Sequence, residues 1–295
     1  MWKKDLTLSN SEENRRLSRE YYLRQTNRLV QSFNLHIAEI DMNDILIELR
    51  GSVLWVTINR EQRRNAINEG VLQGIGEAID RAQDDQTVRA MVLTGAGHRA
   101  FCAGADLQTG KMFSIDTSEP YGKAAQLFRK AKQCTVPLIA RVNGACVAGG
   151  MALMAMCDLV VASESAVFGL PEVKVGVFPA QVIASLQHLL PRRVVAEMCL
   201  AGRTMTASRA YSLGLVNEVD VDVDLALNGL LERLLVGSPT AIRRGVYMMK
   251  KVESMSFEEA ISFAEGQIAL LAMTHDAQEG GAAFREKRKP KWACD

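Results

Sequence analysis

The chain has 295 residues, room for one large domain or two small ones. Its 35 Lys and Arg are matched by 34 Asp and Glu, and the net charge of +1 argues against a protein built around bulk nucleic-acid binding or an acidic partner. With 48 % apolar and 23 % charged residues the composition excludes disorder over most of the length, and no apolar run reaches the length of a membrane span.

Residues 1–41 differ in character from the rest of the chain. Between Ser9 and Phe33 a sparse apolar set (Leu17, Tyr21, Tyr22, Leu29, Val30) is compatible with one amphipathic helix, and the segment is expected to be an extension, partly helical or disordered. It has no apolar core of a secretion signal, and Glu12, Glu13 and Glu20 speak against a transit peptide, so a cytoplasmic protein is expected. From Ile45 the pattern sharpens. Ile45–Leu49 and Val53–Ile58 read as strands around Arg50-Gly51-Ser52. Val71, Leu72, Ile75 and Ile79 make one face of a helix. Val88–Leu93 reads as a strand and residues 108–120 as a polar loop. Ala124–Cys134 reads as a helix, Pro137–Val142 as a strand, Gly149–Cys157 as a small-residue helix and Leu159–Ala162 as another strand. Beyond Asp220 four helices are expected, at Leu225–Leu235, Thr240–Val252, Phe257–Leu271 and Ala277–Lys287. Strands alternating with helices imply an α/β fold with a largely parallel sheet, spanning residues 42–236, followed by a helical region at 237–295.

Several chemistries lack their residues. The six cysteines (Cys102, Cys134, Cys146, Cys157, Cys199, Cys294) form no C-x-x-C pair and read as buried free thiols. The four histidines are isolated, and neither G-x-S-x-G nor H-E-x-x-H occurs. Gly95-Ala96-Gly97-His98-Arg99-Ala100 fits the dinucleotide pattern G-x-G-x-x-A after a strand. A second glycine at Gly104 would weaken the helix that this pattern requires, so the nucleotide reading is the rival rather than the leading one.

Two glycine-rich turns carry more. Cys102-Ala103-Gly104-Ala105-Asp106 and Asn143–Gly150 each follow a candidate strand, and Gly149-Gly150 opens a helix. Two backbone N–H groups from two such turns would make an oxyanion hole; close backbone packing at strand ends is the plain alternative. Glu172, in Phe168-Gly169-Leu170-Pro171-Glu172-Val173, lies in an apolar setting where burial would raise its pKa toward the range useful for proton transfer. A solvated loop glutamate is the ordinary alternative. Asp158 reads as structural.

These turns and this acid resemble those of the crotonase superfamily, the enoyl-CoA hydratase/isomerase family. The resemblance runs from about Ile45 to Trp292 and rests on Thr57-Ile58-Asn59-Arg60, Arg64-Asn65-Ala66-Ile67-Asn68, Gly97–Leu107, Ala140–Gly144, Met156-Cys157-Asp158, Ala166–Glu172, Ala201–Ala207 and Gly214–Asn217. It implies stacked ββα units, a C-terminal helical region that trimerises, and trimers that pair into hexamers. It also implies an acyl-CoA thioester as ligand, with no metal or redox cofactor because CoA enters as part of the substrate. By position Ala105 and Gly149 match the two oxyanion donors, and Arg64, Asn65, Ala66, Ala103 and Asp106 fall in segments that line the CoA; Gly104, Gly150, Ala152 and Pro171 are expected to be substrate-binding as well. One departure stands out. A hydratase of this family carries two catalytic glutamates; the second matches Glu172, whereas the first position holds Ala152. A 1,3-proton shift needs one base, so the residues favour double-bond isomerisation, with hydration as the runner-up and a non-catalytic acyl-CoA or RNA binder as a third reading.

Overall fold

A computed structural model describes residues 44–106 and 121–293. The sequence expectations for residues 9–33 and 108–120, and for Cys294, lie outside the described residues. The first strands are β1 (Ile45–Arg50) and β2 (Val53–Ile58), an antiparallel hairpin turning where Gly51 has φ +60°, a value that glycine adopts without strain. Helix α1 (Glu69–Asp84) follows. The Asn68 side chain caps it by accepting from the Val71 N–H at 2.9 Å, and Val71, Ile75, Ala78, Ile79 and Ala82 are buried at helical spacing.

The next three units repeat one plan. The strands β3 (Ala90–Gly95) and β4 (Ala100–Cys102) precede helix α2 (Lys123–Gln133). The strands β5 (Leu138–Val142) and β6 (Ala145–Val147) precede α3 (Gly149–Ala155). The strands β7 (Leu159–Ser163) and β8 (Val167–Gly169) precede a 3-10 turn at Glu172–Val175 and helix α4 (Ala180–Leu186). The first strand of each unit enters a six-stranded sheet and the second a four-stranded one. With α5 (Arg192–Ala201), β9 (Thr204–Thr206), α6 (Ala207–Ser212) and β10 (Glu218–Asp220) added, the orders are β1-β2-β3-β5-β7-β10 and β4-β6-β8-β9. All pairs are parallel except β1–β2 and β8–β9. The main core includes Leu54, Val56, Ile58, Leu93, Phe101 and Phe168, while α7 (Val223–Leu235) covers a second cluster of Val53, Val92, Ile139 and Val161.

Three helices close the chain: α8 (Pro239–Val252), α9 (Phe257–Ala272) and α10 (His275–Glu286). Two cations bind α8 to the core. Arg243 donates to the carbonyls of Ala82, Gln83, Asp85 and Val88 at 3.0–3.2 Å, at and beyond the C-terminal end of α1. Lys250 donates to the carbonyls of Ala131 and Cys134, each at 3.0 Å, and pairs with Asp158 at 3.1 Å. Asp158, read as structural from sequence, also accepts from the Leu138 N–H at 2.8 Å.

Two differences from the sequence reading have physical causes. Val88–Leu93 starts late: the Val88 N–H is held in a turn by the Asp85 carbonyl, the Arg89 N–H donates across to the Ser52 carbonyl before β2, and the strand proper runs Ala90–Gly95. The three-residue strands β4, β6 and β8 are too short for a two-residue period to register and sit inside glycine-rich stretches. No helix begins within the G-x-G-x-x-A pattern: Gly97 has φ +72° and the chain re-enters a strand at Ala100.

Candidate active site

The strands β4, β6 and β8 lie side by side and parallel. Their C-terminal ends therefore deliver residues 103–106, 148–150 and 170–172 to one end of the small sheet, the end where parallel sheets place ligands.

The first turn is fastened to the segment after β2. The Ala103 N–H donates to the Arg64 carbonyl at 3.1 Å, the Ile67 N–H to Gly104 at 2.7 Å, and the Asp106 N–H to Ile67 at 2.9 Å. In a trans peptide the N–H points opposite to the preceding carbonyl. The Gly104 carbonyl faces Ile67, so the Ala105 N–H faces away from it. In the second turn the Ala148 carbonyl accepts from Met151 at 2.9 Å inside α3, which turns the Gly149 N–H out of the helix start. Ala148 adopts φ +51°, ψ −127°, a conformation costly for a residue with a Cβ. Among the described residues neither the Ala105 nor the Gly149 N–H has an acceptor.

The two turns touch. A Cβ on Gly149 would lie 3.7 Å from the Ala105 nitrogen, and one on Gly104, whose φ is +90°, would lie 3.3 Å from the Gly149 nitrogen. At Gly150 a Cβ would meet the Cys102 carbonyl oxygen at 2.3 Å, so only glycine lets α3 approach β4 this closely. Asn143, at the start of the stretch that leads into β6, ties down the β3–β4 loop through its amide, donating to the carbonyls of Gly95 at 2.9 Å and Gly97 at 2.6 Å.

The third turn brings the acid. The Gly169 carbonyl accepts from the Ala148 N–H at 2.9 Å, which sets Glu172 three residues beyond a direct bond to the second turn. Glu172 starts the 3-10 turn and is half-buried. Its Oε2 is buried and has no hydrogen-bond partner among the described residues. Burial pushes its carboxyl above the ordinary glutamate value, against a smaller opposing bond to its own backbone. Pro171, also half-buried, precedes it and accepts from the Lys174 N–H at 2.9 Å.

The other candidate residues divide. Arg64 is exposed and Ala66 is buried at its edge. Asn65 is fully buried, and its amide donates to Ala96 at 3.0 Å and Ala100 at 2.7 Å while its oxygen accepts from the Arg60 N–H at 3.1 Å. Its side chain therefore organises loops. Asp106 is buried against Arg60 at 2.9 Å. Ala152 is 2 % exposed and packs in the main core on α3. The sequence reading passed over Arg60, Asn143 and Ala148 as individual residues; all three stand inside motifs it quoted, but nothing in the sequence marks the strained backbone of Ala148. A separate cleft of about 650 Å³ opens on the α7 side of the large sheet, between Trp55, Thr57, Arg141 and Asp224. There Arg141 is paired with Asp224 at 2.7 Å. Among the described residues no group of three or more His, Cys, Asp or Glu is arranged to hold a metal ion, and no helix is long and apolar enough to cross a membrane.

Two N–H donors and a raised carboxyl at one end of a small sheet can polarise a carbonyl and move a proton beside it. Residues 48–294 match the sequence profile of the enoyl-CoA hydratase/isomerase family. The chain is similar to the 2,3-dehydroadipyl-CoA hydratase of Escherichia coli, at 32 % identity over 84 % of this chain and 98 % of that protein. It is 34 % identical to the enoyl-CoA hydratase EchA19 of Mycobacterium tuberculosis, over 84 % of this chain and 96 % of that protein. Among solved structures, an enoyl-CoA hydratase of Mycobacterium smegmatis superposes with a TM-score of 0.79 at 32 % identity, over 84 % of this chain and 98 % of that one. The ββα units, the strand-end turns and these likenesses together place the chain in the enoyl-CoA hydratase/isomerase family of the crotonase superfamily, as an acyl-CoA enzyme.

Proposed function

We propose that the enzyme shifts the double bond of a 3-enoyl-CoA to the 2-position, with Glu172 as the sole proton-transferring group. The observation that carries this reading is the pairing of a half-buried Glu172, one oxygen of which has no partner among the described residues, with a core alanine at residue 152. Glu172 removes the α-proton of a 3-enoyl thioester. The N–H groups of Ala105 and Gly149 hold the oxygen of the dienolate. The proton returns at the γ-carbon, leaving a 2-enoyl thioester. The cycle is redox-neutral and moves one proton, so it calls for no cofactor beyond the CoA that arrives with the substrate. CoA itself is assigned to the turns at residues 64–66 and 103–106.

Hydration is the second reading, supported by relatives that carry the name hydratase. Addition of water requires orienting water, removing its proton and protonating the α-carbon, for which one carboxyl is a poor supply. Parallel assays decide between them. Conversion of a 3-enoyl-CoA with negligible hydration of a 2-enoyl-CoA supports the proposal; efficient hydration of the 2-enoyl-CoA overturns it. CoA binding without turnover of either identifies a binder.

Self-association into trimers, alone or paired, through the C-terminal helices belongs to the same proposal. Phe257 (75 % exposed), Ile261 (52 %) and Ile268 (69 %) on α9 leave an apolar surface that a second copy would cover. Light scattering at micromolar concentration tests this, and a monomer contradicts it.

A further inference from the structure

Between β2 and the first glycine-rich turn a single guanidinium makes three contacts. Arg60 Nη1 donates to the Ala66 carbonyl at 2.6 Å, Nη2 pairs with Asp106 at 2.9 Å, and Nε pairs with Asp44 at 3.1 Å. The three side chains are 14 %, 8 % and 11 % exposed, so these contacts are shielded from competing water. Asp44 in turn accepts from Asn68, whose oxygen caps α1. Arg60 thus joins the start of α1, the segment at residues 64–67 and the turn at residues 103–106.

The position of the contacts matters more than their number. The Ala105 N–H is aimed by the bonds on either side of it, from Gly104 and Asp106 to Ile67. Ala66 precedes Ile67, and Asp106 closes the turn. A guanidinium that grips both the Ala66 carbonyl and the Asp106 carboxylate clamps the two chains on which that aim depends. We propose that Arg60 is a positioning residue: it sets the direction of the Ala105 N–H and hence the polarisation of the thioester carbonyl, without touching substrate. The inference rests on the oxyanion assignment of Ala105 and Gly149.

Only arginine meets the geometry. Lysine keeps the charge but presents one nitrogen, which cannot serve a carbonyl and two carboxylates spread around a planar fork. A shift of the Ala105 N–H by a fraction of an ångström weakens the interaction most where charge develops.

The test is the infrared carbonyl stretch of a ¹³C-labelled thioester bound to wild type and to Arg60→Lys, measured well below the melting temperature of each, with kcat recorded alongside. Wild type should shift the stretch to lower frequency than in free thioester. Arg60→Lys should recover half or more of that shift toward the free value and lose about 10- to 100-fold in kcat. Should Arg60→Lys fail to fold, Asp106→Asn, which keeps an acceptor but removes the charge, should show the same change to a smaller degree. A variant that melts earlier yet keeps the full carbonyl shift and kcat makes Arg60 merely structural and overturns the inference. No shift in wild type overturns the oxyanion assignment instead, and the inference with it.

Discussion

Asp158 and Glu172 stand on the same body of the protein, and burial pushes both carboxyls upward, yet the surroundings treat them differently. Asp158 lies between α3 and β7, and the structure answers its charge with the Lys250 ammonium and the Leu138 N–H. Glu172 lies at the end of β8 with one buried oxygen that no group among the described residues answers. A buried acid whose hydrogen bonds are filled holds elements together. One left unsatisfied retains a tendency to take up a proton, at a cost in stability, and is therefore placed for chemistry.

Exchanging the acids' properties breaks the comparison. Glu172→Gln should keep the fold and the CoA affinity but lower kcat/KM by roughly 10² to 10⁴-fold, because an amide cannot accept the proton; steady-state kinetics beside calorimetry of CoA binding checks both halves. Lys250→Met does the converse. It removes the ammonium paired with Asp158 and strips the bonds from α8 to the Ala131 and Cys134 carbonyls, so urea unfolding at fixed protein concentration should show a loss of about 3–5 kcal/mol. The kcat of the folded fraction should stay near wild type.

Smaller effects sharpen the contrast. Gly150→Ala forces a methyl against the Cys102 carbonyl and should cost about 1–3 kcal/mol while lowering kcat, since it spreads the two donor turns. pH separates the acids last. Catalysis needs ionised Glu172, so the acid limb of kcat/KM should lie above the ordinary glutamate value of 4.5 and vanish from the residual activity of Glu172→Gln. The sign for stability is opposite to that of a salt-bridged carboxylate. The folded state holds the Glu172 proton more tightly than the unfolded chain, so its destabilising contribution grows as pH rises from 4.5 through the raised value and is complete above it. At neutral pH Glu172→Gln should therefore melt slightly higher than wild type, and at about pH 4 it should not.

The two acids also mark where sequence is readable. Helices α7 to α10 were legible within about two residues, because caps such as Ser256 and Thr274 flank apolar periods long enough to count. The strand-end turns were legible as glycine-rich stretches and Glu172 as an acid among apolar neighbours. The short strands that align those turns were not legible from periodicity, since three residues carry no period; the family resemblance supplied the ββα plan. The Arg60 clamp depends on Asp44 and Asp106, 16 and 46 positions away in the chain, and no local pattern links residues that meet only through the fold. The same holds for Lys250 and Asp158, where an ordinary surface-looking lysine proves to reach an acid on another layer.

The most direct test of the single-acid account is exchange of the α-protons of a saturated acyl-CoA into D₂O, followed by mass spectrometry. It reads enolate formation alone, without either a double-bond shift or added water. The wild-type protein should incorporate deuterium at the α-carbon and Glu172→Gln should not, at equal CoA occupancy. Exchange by Glu172→Gln at the wild-type rate would contradict the account and place the base elsewhere in the site.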